Sequence, residues 1–211
     1  MVKVIWARHG ENVANLTRQF SYRRLDLDLT PLGREQAAQL AGQVAERLGD
    51  RGGSALVFSS PLRRAQQTAV VVAERLGVEV EVLEGLRELN VGDLDGRSDA
   101  ASWQVYEQVL QDWRDGRADS RFPGGEDRHE LCARLTGALQ QIALVAKGRP
   151  ALVVAHGANL RAALPELAGV ADPGADLGTG QCADLDVALP GAAAPVVSLL
   201  TWGAIAMPHS A

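Results

Sequence analysis

Apolar residues follow two rhythms along this chain. Residues 2–7, 55–58 and 151–155 are short, nearly continuous apolar runs, the pattern of strands covered on both faces. Longer stretches between them carry apolar residues three or four apart, the period of a helix with one buried stripe. Thr30 before Pro31 is an N-cap followed by proline at the first helical position. Leu32, Leu40, Val44 and Leu48 mark that helix's stripe, and Gly49 ends it. A second helix is predicted from Pro61 to about Leu76, before Gly77. Leu131, Leu135, Leu139, Ile142 and Val145 mark a long one, and Gly157 opens another. Val78, Val80 and Val82 alternate with Glu79, Glu81 and Leu83, as in a half-buried strand. Residues 103–113 read as a helix inside a polar, Arg/Asp-rich insertion that ends at Pro123-Gly124-Gly125. Two further strands, at about 181–187 and 196–202, lie beside Gly/Ala/Pro-rich linkers at 172–180 and 190–195. No internal repeat is visible. Strands alternating with helices predict an α/β layer structure with a largely parallel sheet.

In such sheets ligands bind where strands end and loops enter helices. The polar residues obey that rule. Arg8, His9, Gly10, Glu11 and Asn12 follow the first strand, with Asn15 beyond them. Ser59, Ser60, Arg63 and Arg64 follow the second. Arg87 and Glu88 follow the third, and His156-Gly157 follow the strand at 151–155. Each histidine alone would pass for a cap or a core residue. Two of them beside Arg8 and Arg64 form an oxyanion site, because arginine forks grip phosphoryl groups bidentately. The same guanidiniums repel a divalent cation, and no HxxxH or HxH spacing occurs, so no metal is expected. There is no phosphate-binding GxxxxGKS/T loop and no GxSxG elbow. Gly178-Thr179-Gly180 with Ala183 mimics a dinucleotide loop, but it follows a turn-rich segment rather than a strand.

Composition narrows the partners. The 211 residues carry a net charge of −5, which argues against general binding to nucleic acid or membrane surfaces. No run approaches the ~18 apolar residues that span a bilayer, and the N-terminus has no signal-peptide core. Cys132 and Cys182 stand far apart, without a CxxC pattern, so a reducing, cytoplasmic setting is expected.

The ordered set ARHGENVAN (7–15), LDLTPLGREQA (27–37), SSPLRRAQQTA (59–69), LRELNVGDLDG (86–96), FPGGED (122–127) and AHGANLR (155–161) resembles the histidine phosphatase superfamily, in its phosphoglycerate-mutase-like branch. The resemblance implies a three-layer α/β/α sandwich over residues 1–211, one domain with a small helical insertion at about 97–125. It implies a small phosphorylated substrate, no cofactor and a homodimer. It makes His9 the nucleophile that becomes phosphohistidine, with Arg8, Arg64 and His156 around the phosphoryl oxygens and Asn15 closing the pocket. Glu88 matches the proton donor. A reactive His9 must be neutral, and clustered arginines depress its pKa from about 6.5. Gly10 and Gly157 would let the backbone approach the oxyanion. Arg87 should point away from Glu88, and Arg63 should be solvated.

The loop after Asn15 departs from the mutase pattern. Ser21 falls near a substrate-contact position. Arg18, Arg23 and Arg24 form a basic loop, which is either a solvated surface or the reader of a second acidic group on the substrate. The family pattern also leaves open mutase transfer and a non-catalytic phospho-ligand binder. The short insertion and FPGGED favour a phosphatase over a mutase, which must shield its intermediate from water. Retention of His9, Glu88 and His156 disfavours the binder.

Overall fold

The structure, a computed structural model, describes residues 1–174, 176–191 and 194–207. In chain order it runs β1 (Val2–Arg8), α1 (Val13–Thr17), α2 (Pro31–Leu48), β2 (Leu56–Ser59), α3 (Arg63–Leu76), β3 (Val80–Val82) and α4 (Ala100–Arg114). It continues with α5 (Arg128–Ala146), β4 (Ala151–Ala155), α6 (Gly157–Ala168), β5 (Cys182–Ala188), β6 (Val196–Trp202) and β7 (Ile205–Ala206). The seven strands form one sheet in the order β3-β2-β4-β1-β5-β6-β7. The first four are mutually parallel, while β5, β6 and β7 are antiparallel additions beside β1.

Alternation along the central strands builds the layers. Ile5 and Ala7 of β1, with Leu152 and Val154 of β4, pack under α2 and α3. Val4 and Trp6, with Val153 and Ala155, face α5 and α6 on the opposite side. All five residues of β4 are buried, as a parallel strand covered on both faces requires. The result is a three-layer α/β/α sandwich.

Several local expectations shift. Thr30 does cap α2, its hydroxyl accepting from the Gly33 amide at 3.0 Å. Leu32, however, is 49% exposed, and the buried stripe is Ala37, Leu40, Ala41, Val44 and Leu48. Position 32 lies off that face, which the buried Gly33 carries into the first turn. Likewise α5 continues its stripe from Ile142 to Ala146, leaving Val145 exposed. The alternating valines give only the three-residue β3, and Val82 is exposed because β3 is the sheet edge. The insertion does hold a helix, α4. Within the 172–180 and 190–195 linkers, residues 175, 192 and 193 lie outside the described residues.

Candidate active site

The C-terminal ends of β1, β2 and β4 deliver the site. The His9 amide donates to the Ala155 carbonyl at 3.0 Å, which locks the two histidine-bearing strand ends side by side. The His9 and His156 rings meet edge to face, with centroids 5.2 Å apart. Arg64, on the first turn of α3, is buried and points its Nε at His9 Nε2, 3.0 Å away.

That contact fixes the tautomer. A guanidinium only donates, so His9 Nε2 carries the lone pair. His9 Nδ1 then carries the proton and donates to the Gly10 carbonyl at 2.6 Å. Burial holds the His9 pKa well below the usual histidine value, and the charges of Arg64 and Arg8 add to the effect. His156 is also buried and held low, by desolvation first and then by Arg64 and His9. Its Nε2 lies 2.6 Å from Ser60 Oγ. His156 Nδ1 and Arg8 Nε are buried without a partner, the donor pattern that an oxyanion would complete. Burial brings Arg64 down to about 10, against the pull of Glu88, Asp26 and Asp95, so it stays charged at neutral pH.

The stability consequence has a definite sign. Unfolding returns both histidines to a pKa near ~6.5. Below that pH the unfolded chain takes up protons that the native chain refuses, so this stability is present above ~6.5 and is lost on acidification. Each histidine should cost about 1 kcal/mol per pH unit in that window. We expect Tm to hold steady above about pH 7 and to fall towards pH 5, less steeply in His156→Asn. Equal slopes in the variant and the parent would refute it.

Glu88 sits half-buried at the start of α6. Its Oε1 accepts from the Leu89 amide at 2.8 Å and the Asn159 amide at 3.1 Å, and its Oε2 accepts from Ala158 at 3.4 Å. The loop carrying it is clamped from α5. Arg134 donates to the carbonyls of Gly85, Arg87 and Glu88 at 2.8–3.0 Å, and to the buried Glu126 carboxylate at 2.7 Å. Glu126 in turn accepts from the Asn90 amide at 2.8 Å. Gly92 (φ +55°) and Gly125 have no room for a Cβ, because the FPGGED backbone lies directly against the acid loop. The sequence alone gives FPGGED no such role. Nor does it single out Arg134 or Asn159, whose side-chain amide donates to the Leu86 and Arg87 carbonyls.

A cavity of about 640 Å³ opens over these groups. Arg8, His9, Asn15, Ser21, Arg64, Glu88 and Gly157 all line it. Asn15 also braces its own helix, since its Oδ1 accepts from the Asn12 amide in a capping box at α1. Ser21 accepts from Arg64 through both Oγ and its carbonyl, each at 3.0 Å, so it orients the guanidinium.

Arg23 and Arg24 do not line the cavity. Their amides, with that of Tyr22, donate to the buried Asp95 carboxylate at 2.7–2.9 Å, which turns this stretch outward. Arg23 then lies on the Tyr22 ring and 3.6 Å from Glu84, largely in solvent. Arg18 stacks on the Trp103 ring, also away from this cavity. None of the three arginines of the basic loop lines this cavity. Arg87 points away from Glu88, paired with Glu84 at 2.6 Å, and the exposed Arg63 pairs with Asp28.

Packing alone already demands glycine at positions 10 and 157. A Cβ on Gly10 would lie 2.2 Å from the Gly33 carbonyl oxygen, and one on Gly157 would lie 2.9 Å from the Arg8 guanidinium. Among the described residues no group of three or more His, Cys, Asp or Glu converges as a metal cluster would. No helix there is long and apolar enough to cross a membrane.

Similarity to known proteins runs along the same framework. An Arabidopsis thaliana phosphoglycerate mutase-like protein is 35% identical over 161 residues, covering 75% of this chain and 68% of its own. The solved structure of mycobacterial hydrolase 1 matches with TM-score 0.79 and 28% identity, over 98% of this chain and all of that one. A mycobacterial glucosyl-3-phosphoglycerate phosphatase solved with VO3 gives 0.74 and 27%, over 97% of this chain and 100% of that one. A family model of the histidine phosphatase superfamily (branch 1) matches residues 4–183, a span that holds His9, His156, Arg8, Arg64 and Glu88. To that superfamily this chain belongs.

Proposed function

We propose that the protein hydrolyses a phosphomonoester through a phosphohistidine on His9. The observation that carries this reading is the His9 ring, whose Nδ1 proton is committed to the Gly10 carbonyl while Nε2 keeps its lone pair beside a guanidinium. An imidazole so fixed is a nucleophile at neutral pH. A bound phosphoryl oxygen is a charged, stronger acceptor for Arg64 Nε, and by taking that bond over it releases His9 Nε2 to attack.

The N–P bond forms as the ester P–O bond breaks, and Glu88 gives its proton to the departing oxygen. Arg8, Arg64 and His156 donate to the equatorial oxygens, where charge builds. Water then attacks phosphorus, its proton passes to the Glu88 carboxylate and the N–P bond breaks. Inorganic phosphate leaves, and the enzyme is restored. Asn15 and Ser21 complete the phosphate pocket, Ser21 through Arg64.

Support for hydrolysis over isomerisation comes from the short insertion and from the phosphatase among the structural relatives. A phosphomonoester panel scored for both phosphate release and phosphoryl relocation tests this. Release without relocation is expected, and relocation as the main product would make the protein a mutase. Turnover should persist in EDTA within about twofold, because charge stabilisation comes from guanidiniums. Loss of activity that added metal restores would overturn the metal-free mechanism. The reading extends to a cytoplasmic homodimer without nucleic-acid partners, to be checked by light scattering and fractionation.

A further inference from the structure

Only the inner end of the 640 Å³ cavity is needed to hold a phosphoryl group. Pockets of about 300–1,000 Å³ enclose whole drug-sized molecules, so a small acid such as phosphoserine would leave most of this one unfilled. The remainder is bounded by two facing helices. From α4 come Trp103, Tyr106 and Leu110, one face at spacings of three and four, each half-buried. From α6 come Ala158, Ala162 and Pro165.

The aromatic wall is packed ring against ring before anything binds. The Trp103 ring lies 4.4 Å from Phe20 and 5.4 Å from Tyr106, and Tyr106 stacks on the fully buried Phe122 at 5.6 Å. A wall already packed loses little freedom when a ligand settles on it.

Two arginines of this outer part are already paired with carboxylates. Arg161 pairs with Asp176 at 2.5 Å and faces Asp172 at 3.7 Å. Arg128 pairs with Glu166 at 3.1 Å. Of the other cavity arginines, Arg8 and Arg64 sit at the inner end, and Arg114, on α4, is exposed and donates to the Gln111 side chain rather than to a carboxylate. A second anionic group on the ligand would have to compete with these carboxylates at Arg128 and Arg161, which leaves only the exposed Arg114.

We infer that the chamber between α4 and α6 is a subsite for a bulky, uncharged leaving group with an apolar body, not for the small carboxylate-bearing esters of phosphoglycerate or phosphoserine type. This rests on the phosphatase reading for the placement of the phosphoryl group, yet it can be tested without turnover.

Calorimetric titration with octylphosphonate, methylphosphonate and phosphonoacetate measures the chamber directly. Octylphosphonate should bind at least about tenfold more tightly than either of the others, since each buried methylene adds to affinity. In Leu110→Glu that ratio should collapse towards one. Leu110→Ala, which is milder to the fold, should lower it severalfold. Tightest binding of phosphonoacetate, or an unchanged ratio in both variants, would overturn the inference. Esters with the same alkyl and carboxylate groups then separate the two readings. Binding preference without any hydrolysis would leave the chamber standing and remove the phosphatase. Hydrolysis with a preference for acidic esters would do the reverse.

Discussion

His9→Ala should abolish turnover, lowering kcat by on the order of 10⁴-fold or more, as loss of a covalent nucleophile does elsewhere. The size follows from the geometry. His9 Nε2 is the imidazole lone pair held against Arg64, and His156 presents its Nε2 to Ser60 instead. Inorganic phosphate should still bind within about tenfold of the parent, because Arg8 and Arg64 remain to carry it. The variant loses some stability, since removing the ring orphans the buried Arg64 Nε, at about 1–3 kcal/mol. Circular dichroism should nevertheless show a folded protein. Enzyme quenched in alkaline denaturant while turning over a radiolabelled ester should carry label in the parent and none in His9→Ala, and the label should be lost on acid treatment. Turnover above one tenth of the parent rate would move the nucleophile elsewhere.

Glu88→Gln should separate the two steps in which this side chain takes part. Glutamine keeps an oxygen for the Leu89 and Asn159 amides, so the acid loop holds its shape. It cannot donate a carboxyl proton. For alkyl phosphates, whose alkoxide leaves poorly, kcat/KM should fall by roughly 10²–10⁴-fold. For an activated aryl phosphate, which leaves without help, kcat/KM should fall by less than about tenfold. The ratio kcat/KM reports only the steps through phosphoryl transfer, so the later water attack does not blur the comparison. That attack loses its base for every substrate, and the activated ester should therefore show a burst of alcohol product followed by a slow steady state. Equal losses across leaving groups, with no burst, would take the proton-donor role from Glu88.

The sequence carried the central scaffold openly. The continuous apolar runs in β1 and β4, the Thr30-Pro31 start of α2 and the glycines at 49 and 77 are local signals, fixed by strand burial and by caps. The convergence of Arg8, His9, Arg64, Glu88 and His156 on one sheet edge could be expected from strand ends alone. What could not be read was set by tertiary contact. Val82 follows the same alternation as a buried strand residue, and only its place at the sheet edge exposes it. Arg23 and Arg24 look like ligand-seeking cations in one dimension. Asp95, some seventy residues on, turns their backbone outward through three amides. Glu126 and Arg134 look like ordinary members of a polar helix start, because the Asn90 amide that Glu126 holds and the carbonyls that Arg134 holds belong to another loop.

The Arg134 clamp divides labour across the cavity. Every group that it grips belongs to residues 85–88 or to Glu126, and none belongs to α4. The acid is thus bolted to the rear of the molecule and to α6, while the aromatic wall of the proposed chamber hangs from a separate strut, α4. Lineages, and protein engineers, can redraw that strut to suit new alcohols without resetting the chemistry behind it.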